Sequence, residues 1–152
     1  NLQKDAEAIA EDKLRTQVAE TTRTLELRTS ETKGNIQINL LSLSQIGSRG
    51  YLRFSILNFS NVALRPGPAI FGAYRVGKAG WVGHRTEGLV EIPSESEIPE
   101  TILPEGYVYG VISFDYRPLA RGEKPFVRFD SKDKAWSLEL TGFKWFEDGE
   151  AR

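Results

Sequence analysis

The sequence predicts a mainly β protein, in which one N-terminal α-helix precedes an antiparallel β-sandwich. Three observations lead to this fold class. Helix-forming composition is confined to residues 1–24, where neither Gly nor Pro occurs. After this segment apolar residues tend to recur at every second position, the period of a strand with one buried face. Seven to nine such segments follow at short spacing, with turn residues between them and no second helix, a pattern typical of sandwiches and barrels.

The N-terminal segment, residues 1–24, is rich in Ala, Glu, Lys, Leu and Gln, which are good helix formers. Its apolar residues form only a narrow stripe, so we expect a stalk or a helix that lies on the domain. A dimerising coiled coil is the alternative, because Leu14, Val18 and Leu25 fit one heptad seam. We assign the sandwich to residues 25–147 and a disordered tail to residues 148–152.

Alternating apolar residues and intervening turn residues place the strands within the sandwich domain. The predicted strands are 24–28, 36–40, 51–59, 69–76, 88–92, 107–116, 125–130 and 135–146. A stretch rich in Pro, Glu and Ser, residues 92–106, is predicted to be a loop. Aromatic residues on strands are expected in the core, namely Phe54, Phe114, Tyr116, Phe126, Phe129, Trp136 and Phe143. Trp145 and Phe146 are expected to cap the core or to pack on the N-terminal helix.

Three segments carry a resemblance to a known kind of domain. YLRFSILNFSN at 51–61, LPEGYVYGVISFDY at 103–116 and the hairpin PFVRF with AWSLEL resemble bacterial extracytoplasmic immunoglobulin-like domains of lipoproteins, secreted antigens and secretion machinery. Leu103, Pro104 and Tyr109 are similar to a corner of fibronectin-type sandwiches. The resemblance spans about residues 36–142 and implies an immunoglobulin-like sandwich that binds or supports other proteins. It also implies a periplasmic or extracellular location and no catalytic residues.

Few residues in the sequence could support catalysis. There is no Cys, which excludes disulfides, thiolate metal sites and cysteine nucleophiles, and one His excludes a multi-histidine zinc site. Phosphate-loop and nucleophile-elbow motifs are absent, so we expect no cofactor and no enzyme activity. The alternative is a sandwich-fold hydrolase that uses His84 with a glutamate. Asn58-Phe59-Ser60 has the form of an N-glycosylation sequon.

The net charge of −1 conceals two blocks of opposite sign. Residues 34–86 contain six basic and no acidic residues, and residues 87–116 contain seven acidic residues and no Lys or Arg. Strands from the two blocks could neutralise each other as cross-strand pairs. The blocks could instead make the molecule dipolar and suited to a charged partner or to head-to-tail contact. A third reading places Phe54, Tyr74 and Trp81 in a nucleic-acid groove of the basic 49–85 segment.

We therefore expect a non-catalytic protein-binding or scaffold module, the soluble part of an exported or membrane-anchored bacterial protein. Its contact surface is predicted in the Gly-rich segment 72–88, with Arg75, Lys78, Trp81, His84 and Arg85. The acidic loop 94–105 is the second candidate surface. We expect a protein partner, a possible homo-oligomer through the helix, no nucleic-acid partner, and membrane contact only through an anchor upstream of residue 1.

Overall fold

A computed structural model describes residues 5–9, 22–75 and 88–148 of this chain. Residues 5–9 form a short helix, and the remaining described residues form strands and their connections. The strands are β1 Arg23–Lys33, β2 Ile36–Ile46, β3 Arg49–Asn58, β4 Ile70–Arg75, β5 Val90–Glu91, β6 Ser94–Glu97, β7 Tyr107–Asp115, β8 Glu123–Asp130 and β9 Ser137–Thr141. In the described ranges, no helix has the length and apolar character needed to cross a membrane.

The strands form two antiparallel sheets, in the orders β1-β2-β3-β7-β6 and β5-β4-β8-β9. Leaving out β1 and β5, these orders are β2-β3-β7-β6 and β4-β8-β9, which correspond to strands ABED and CFG of a constant-type immunoglobulin sandwich. Both the mainly β class and the antiparallel sandwich with a short N-terminal helix are thereby confirmed. The additional strand β1 extends the first sheet beyond this common set.

The core lies between the sheets and is built mainly from alternate apolar residues of each strand, with a change of parity in β2 at the bulge between Leu40 and Ser42. Phe54 of β3 contacts Phe129 of β8, with ring centroids 4.7 Å apart, and Phe71 of β4 contacts Phe114 of β7 at 4.5 Å. Of the seven aromatic residues expected in the core, five are buried and two, Tyr116 and Trp136, are partly buried against it. Each fully buried aromatic side chain stabilises the fold by about 1.5–3 kcal/mol through removal of apolar surface from water.

Several elements differ from the sequence prediction, among them β1 and β2, which continue to Lys33 and Ile46, beyond the predicted 24–28 and 36–40. The predicted loop at 92–106 contains a strand, β6, which pairs with β7. In this strand Ser94 and Ser96 are half-buried, and Glu95 and Glu97 are exposed. The prediction was wrong there because Glu and Ser have low strand propensity, whereas backbone pairing with β7 determines the conformation. The last predicted strand, 135–146, ends at Thr141, since Gly142 takes a positive φ of 67° that breaks the ladder.

Both ends of the described sandwich meet in one side-chain cluster. The guanidinium of Arg23, the first residue of β1, donates to Asp148 at 2.8 Å and lies 4.2 Å from the ring centroid of Phe146. Tyr116 also donates to Asp148 and stacks on Trp145. Trp145 in turn lies against Phe71 and Phe114, so it caps the core. Asp148, which the sequence assigns to a tail, is therefore hydrogen-bonded to the sandwich.

This arrangement defines two ends of the sandwich. The proximal end holds the Arg23 cluster, where the described chain enters at Thr22 and leaves at Asp148. The distal end holds the β1–β2 turn, the connection between β3 and β4, the β6–β7 loop and the β8–β9 turn. These connections are joined by backbone hydrogen bonds, among them Phe59 to Asn35, Leu64 to Ile102 and Lys132 to Arg65. Strand β7 runs the length between the two ends, and its nine residues extend about 26 Å.

Candidate protein-binding surface

Asn58, the last residue of β3, organises the distal end. Its side chain is buried, with 1% of its surface exposed. The amide nitrogen Nδ2 donates to the carbonyl oxygens of Val62 (2.8 Å), Ile102 (3.2 Å) and Leu103 (3.3 Å). Oδ1 accepts from the backbone nitrogen and hydroxyl of Ser60. One asparagine thus ties the connection that follows β3 to the β6–β7 loop, whose Ile102 and Leu103 are 44 and 45 residues away from it in sequence.

This burial also bears on the predicted glycosylation sequon. A glycan would be attached to Nδ2 of Asn58, the same atom that donates to three carbonyls inside the fold. The folded structure has neither the exposure nor the free N–H that a glycosylated asparagine requires. Asn58-Phe59-Ser60 is therefore a structural motif in this fold.

The loops held by Asn58 present apolar side chains to solvent. Among the described residues, eight large hydrophobic side chains are exposed, and five of them lie at the distal end or on the adjoining part of β7. We call this set the distal surface: Phe59, Val62, Leu103, Tyr107 and Tyr109. Clustering of exposed apolar groups on one part of a soluble protein is characteristic of interaction sites, whereas scattered ones need no explanation.

Tyr107 and Tyr109 are the aromatic part of the distal surface. They occupy outward positions of β7, are 64% and 61% exposed, and pack edge to face with ring centroids 5.7 Å apart. The last residue of β6, Glu97, lies opposite Val111 of β7. The chain that follows Glu97 therefore leaves the edge of the sheet beside Tyr109. An open groove of about 650 Å³ results, lined by Ser96, Glu97, Ile98, Pro99, Tyr109, Gly110 and Val111. Exposed tyrosines beside a groove are favoured anchors for protein partners.

A strained residue lies next to these tyrosines. Leu103 to Gly106 form a tight turn, in which the Gly106 nitrogen donates to the Leu103 oxygen at 2.9 Å. Glu105 occupies the third position with a positive φ of 58°, which costs a residue with a side chain about 1–2 kcal/mol. Glycine is the usual residue at this position of such a turn. Glu105 is one of two non-glycine residues with a positive φ in the described ranges, the other being Lys134 in the β8–β9 turn.

Three exposed carboxylates border the distal surface, and the same end of the sandwich also carries the exposed cations Arg65, Lys132 and Lys134. Glu97, Glu100 and Glu105 are exposed, and none of them forms an ion pair with a described Lys or Arg. An apolar aromatic centre with a charged rim is the usual anatomy of a protein interface. Carboxylates next to tyrosine rings favour cationic groups, because a cation gains both charge pairing and cation–π attraction.

The basic and acidic blocks of the sequence meet only in part. Arg49 of β3 lies opposite Asp115 of β7 and forms an ion pair with it at 2.7 Å. The hydrogen bond from this guanidinium to Asp115 raises the pKa of Arg49. Arg53 faces solvent from the middle of β3, and Arg75 lies at the proximal end of β4. Cross-strand neutralisation therefore occurs at the Arg49–Asp115 pair and leaves the distal glutamates unpaired by described cations.

The structure describes Arg75 among the sequence-predicted contact residues. It is exposed at the end of β4, opposite Glu123 of β8. Lys78, Trp81, His84 and Arg85 lie outside the described residues. The acidic segment 94–105, the second predicted surface, forms the rim of the distal surface.

The nucleic-acid groove considered from the sequence is not formed by its described members. Phe54 is fully buried in the core, and Tyr74 is also buried, so neither ring is available to stack on a base. No group of three or more Asp, Glu or His side chains within the described ranges is placed to hold a metal ion.

Sequence reasoning missed Tyr107, Tyr109 and Leu103 as contact residues. The parity of β7 contained the signal for the tyrosines, because they share the outward positions with Ser113 and Asp115, opposite the buried Ile112 and Phe114. No local pattern marks Leu103, whose exposure depends on the hydrogen bond between its carbonyl and Asn58.

No protein-family model matches this sequence, and no curated protein matches it at a significant level. Among solved structures, the archaellum periplasmic stator protein FlaG from Sulfolobus acidocaldarius is similar, with 8% identity over 79% of this chain and 98% of that chain and a TM-score of 0.39. The GH20 exo-β-N-acetylglucosaminidase from Vibrio harveyi is similar at 9% identity, over 80% of this chain and 17% of that chain, with a TM-score of 0.24. Both TM-scores are low, and neither protein's role is carried over to this chain.

Proposed function

We propose that this chain is a non-catalytic protein-binding scaffold module that engages its partner through the distal surface. The observation that carries the proposal is the exposure of Tyr107 and Tyr109, side by side next to an open groove that Glu97 also lines. Large aromatic side chains are costly to leave in water, and their geometry here is held by strand pairing and by the Asn58 hydrogen bonds. A preorganised surface loses little conformational entropy when a partner binds.

The position of the surface suits a scaffold. The described chain enters and leaves at the proximal end, so a segment that precedes Thr22 joins the sandwich about 26 Å from Tyr107 along β7. The distal surface then points away from any anchor or stalk on that side. The similarity of the sequence to extracytoplasmic immunoglobulin-like domains supports a periplasmic or extracellular location for this arrangement.

Site-specific photo-cross-linking in the cells that produce the protein tests this proposal. A photoreactive amino acid is placed at Leu103, and in a matched control at Glu139, which is exposed on β9 of the other sheet. We expect one defined cross-linked species from position 103, lost when Tyr107 and Tyr109 are both replaced by Ser. Equal cross-linking from the two positions, or none from position 103, would contradict the proposal.

The non-catalytic part of the proposal has its own test. The hydrolase alternative depends on His84, so it requires the purified chain to hydrolyse an ester or glycoside substrate at a rate that His84→Ala abolishes. Such a rate would contradict the non-catalytic part of the proposal, and we expect none.

A further inference from the structure

Alternate residues of β7 direct their backbone groups away from β3. The nitrogen of Asn58 donates to the oxygen of Gly106, the residue opposite it, at 2.9 Å. Bonded and unbonded pairs alternate along an antiparallel ladder, so the even-numbered residues of β7 bond to β3. The N–H and C=O groups of Tyr107 and Tyr109 therefore point to the opposite side of β7, the side on which β6 lies.

Strand β6 ends before it reaches these groups, and a proline explains why. Its last residue, Glu97, lies opposite Val111, so the residue that would pair with Tyr109 is Pro99. Proline has no N–H to donate to the Tyr109 carbonyl, so the ladder stops. In the described ranges, no hydrogen bond from the β6 side reaches the backbone of Tyr107 or Tyr109. We call the unpaired backbone groups of these two tyrosines the open edge.

We propose that the open edge accepts an extended segment of another protein, which adds to the first sheet as a strand antiparallel to β7. This inference rests on the proposed function, because it assigns the kind of partner to the same surface. Unpaired backbone groups at a sheet edge are a template for strand addition, in which main-chain hydrogen bonds give affinity and alternate side chains give specificity. The groove beside Tyr109, lined also by Ile98 and Pro99, gives such a segment access to the edge.

The side chains around the open edge specify the chemistry of the segment. A residue opposite Tyr109 would face outward and follow Glu97 by two positions along the line of β6. A lysine or arginine there meets both the Glu97 carboxylate and the Tyr109 ring. Arg53, the cation of the same cross-strand row, is separated from Glu97 by Val111. The next residue of the segment would face inward over the half-buried Val108 and should be apolar.

A second copy of this chain is a poor occupant of the open edge. Pairing Tyr107 of each copy with Tyr109 of the other would place Glu105 of one copy beside Glu97 of the other, where like charges repel. The edge of β1 is interrupted by a bulge, which disturbs its backbone pattern. On β9, the Lys33 side chain already bonds to the backbone. These observations favour a segment of a different protein.

Hydrogen exchange of the full chain, followed by NMR, tests the state of the open edge. In the free protein the amides of Tyr107 and Tyr109 should exchange fast and those of Val108 and Gly110 slowly, because only the latter bond to β3. The probe is a short peptide in which lysine and valine alternate. At saturation it should slow exchange at the two tyrosines by about tenfold or more and leave the other two amides unchanged. Slow exchange at the tyrosines without the probe overturns the inference, since the edge would already be covered.

Methylation of the probe's backbone nitrogens separates strand addition from other contacts. The lysines would lie opposite the tyrosines and donate to their carbonyls, so N-methylation of the lysines should weaken binding by about tenfold or more. N-methylation of the valines, whose N–H groups point away, should have little effect. Equal binding of the two methylated peptides overturns the inference, as does a parent probe that does not bind.

A pair of variants tests the assigned charge contact. Glu97→Gln should weaken binding of the probe about two- to fivefold, the range of an exposed ion pair. Glu100→Gln is the control, because this exposed glutamate does not line the groove, and it should leave binding unchanged. Equal affinities of the two variants would overturn the assignment of a cation beside Glu97.

The cross-linking experiment distinguishes failure of this inference from failure of the proposed function. If the probe does not bind while position 103 still cross-links one species in cells, the proposed function stands and strand addition is wrong. If the probe binds as expected but position 103 gives no cross-link, the proposed function is wrong in those cells and the open edge remains a peptide-binding site.

Discussion

The ring of Phe54 on β3 lies over Gly110 on β7, its direct cross-strand partner. A Cβ atom added to Gly110 would stand within 2.7 Å of a ring carbon of Phe54 and 2.8 Å from the carbonyl oxygen of Glu97. Gly50 and Phe114, another pair in the same ladder, repeat this arrangement with the residue types exchanged between the strands. Small and large residues thus alternate across the two central strands, and this lets two phenylalanine rings fit one layer of the core.

Gly110→Ala is therefore expected to destabilise the fold. The new methyl group meets a buried ring on one side and backbone on the other, so neither neighbour can move freely. Overpacking of this kind costs about 1–3 kcal/mol, measured as the free energy of unfolding in urea. Gly67→Ala is the matched control, because the nearest atom to its Cβ would be 3.5 Å away, an ordinary contact. Equal stability of the two variants would contradict the packing argument.

Asn58→Asp is expected to destabilise the distal end. Aspartate has the same shape as asparagine but no N–H, so its oxygen would face the carbonyl oxygens of Val62, Ile102 and Leu103. Leaving buried polar groups unpaired costs about 1–3 kcal/mol each, and we expect a lower midpoint of thermal unfolding. Asn61→Asp, three residues further and exposed, is the control that should leave the midpoint unchanged.

Hydrogen exchange gives a second measure of the same variant. The amides of Leu64 and Ile102, which bond each other's carbonyls, should exchange faster in Asn58→Asp than in the wild type. The amides of β8, at the centre of the other sheet, should exchange as slowly in Asn58→Asp as in the wild type. Uniform loss of protection in both regions would show that the effect of Asn58 is not local to the distal end.

Asp148 is expected to make stability depend on pH in acid. Burial raises the pKa of this carboxyl, but hydrogen bonds from Tyr116 and Arg23 outweigh that effect and hold the pKa below its usual value. A lowered pKa in the folded state means that the ionised form is favoured by folding, so its contribution is present at neutral pH. It is lost as the pH falls below about 4, the ordinary range of aspartate.

Asp148→Asn removes this contribution. Between neutral pH and pH about 3, the free energy of unfolding of this variant should therefore fall less than that of the wild type. Urea unfolding at the two pH values measures the difference. Glu147→Gln, at the exposed neighbouring position, is the control and should keep the wild-type slope. An identical pH dependence for Asp148→Asn and the wild type would show that ionisation of Asp148 does not contribute to stability in acid.

Glu105→Gly separates binding from stability. Glycine adopts the positive φ of position 105 without steric cost, so this replacement should not lower the midpoint of thermal unfolding. It also removes one carboxylate from the rim of the distal surface, and cross-linking from position 103 should decrease. Glu31→Gly, at an exposed strand position, is the contrasting variant, because glycine weakens strands and should lower stability without affecting cross-linking.

Strand periodicity accounts for the part of the fold that could be predicted. The strand prediction for 51–59 agrees with β3 because Leu52, Phe54 and Ile56 alternate with more polar residues, and the side-chain period of a strand is a local property. Strand β6 could not be predicted in this way, since its Ser and Glu residues are paired only because β7 offers a free edge. Its existence depends on a contact between segments separated by the whole β6–β7 loop.

The sequence by itself determined the class of sandwich, the lack of cysteine chemistry and the two charge blocks, because composition and period need no knowledge of distant neighbours. Only the tertiary structure decided where those charges lie. Strand pairing brings Asp115 to Arg49, leaves Glu97 on the edge of the first sheet beside the tyrosines, and places Arg75 on the other sheet opposite Glu123. Electrostatic attraction depends on distance in space, which the order of residues along the chain does not specify.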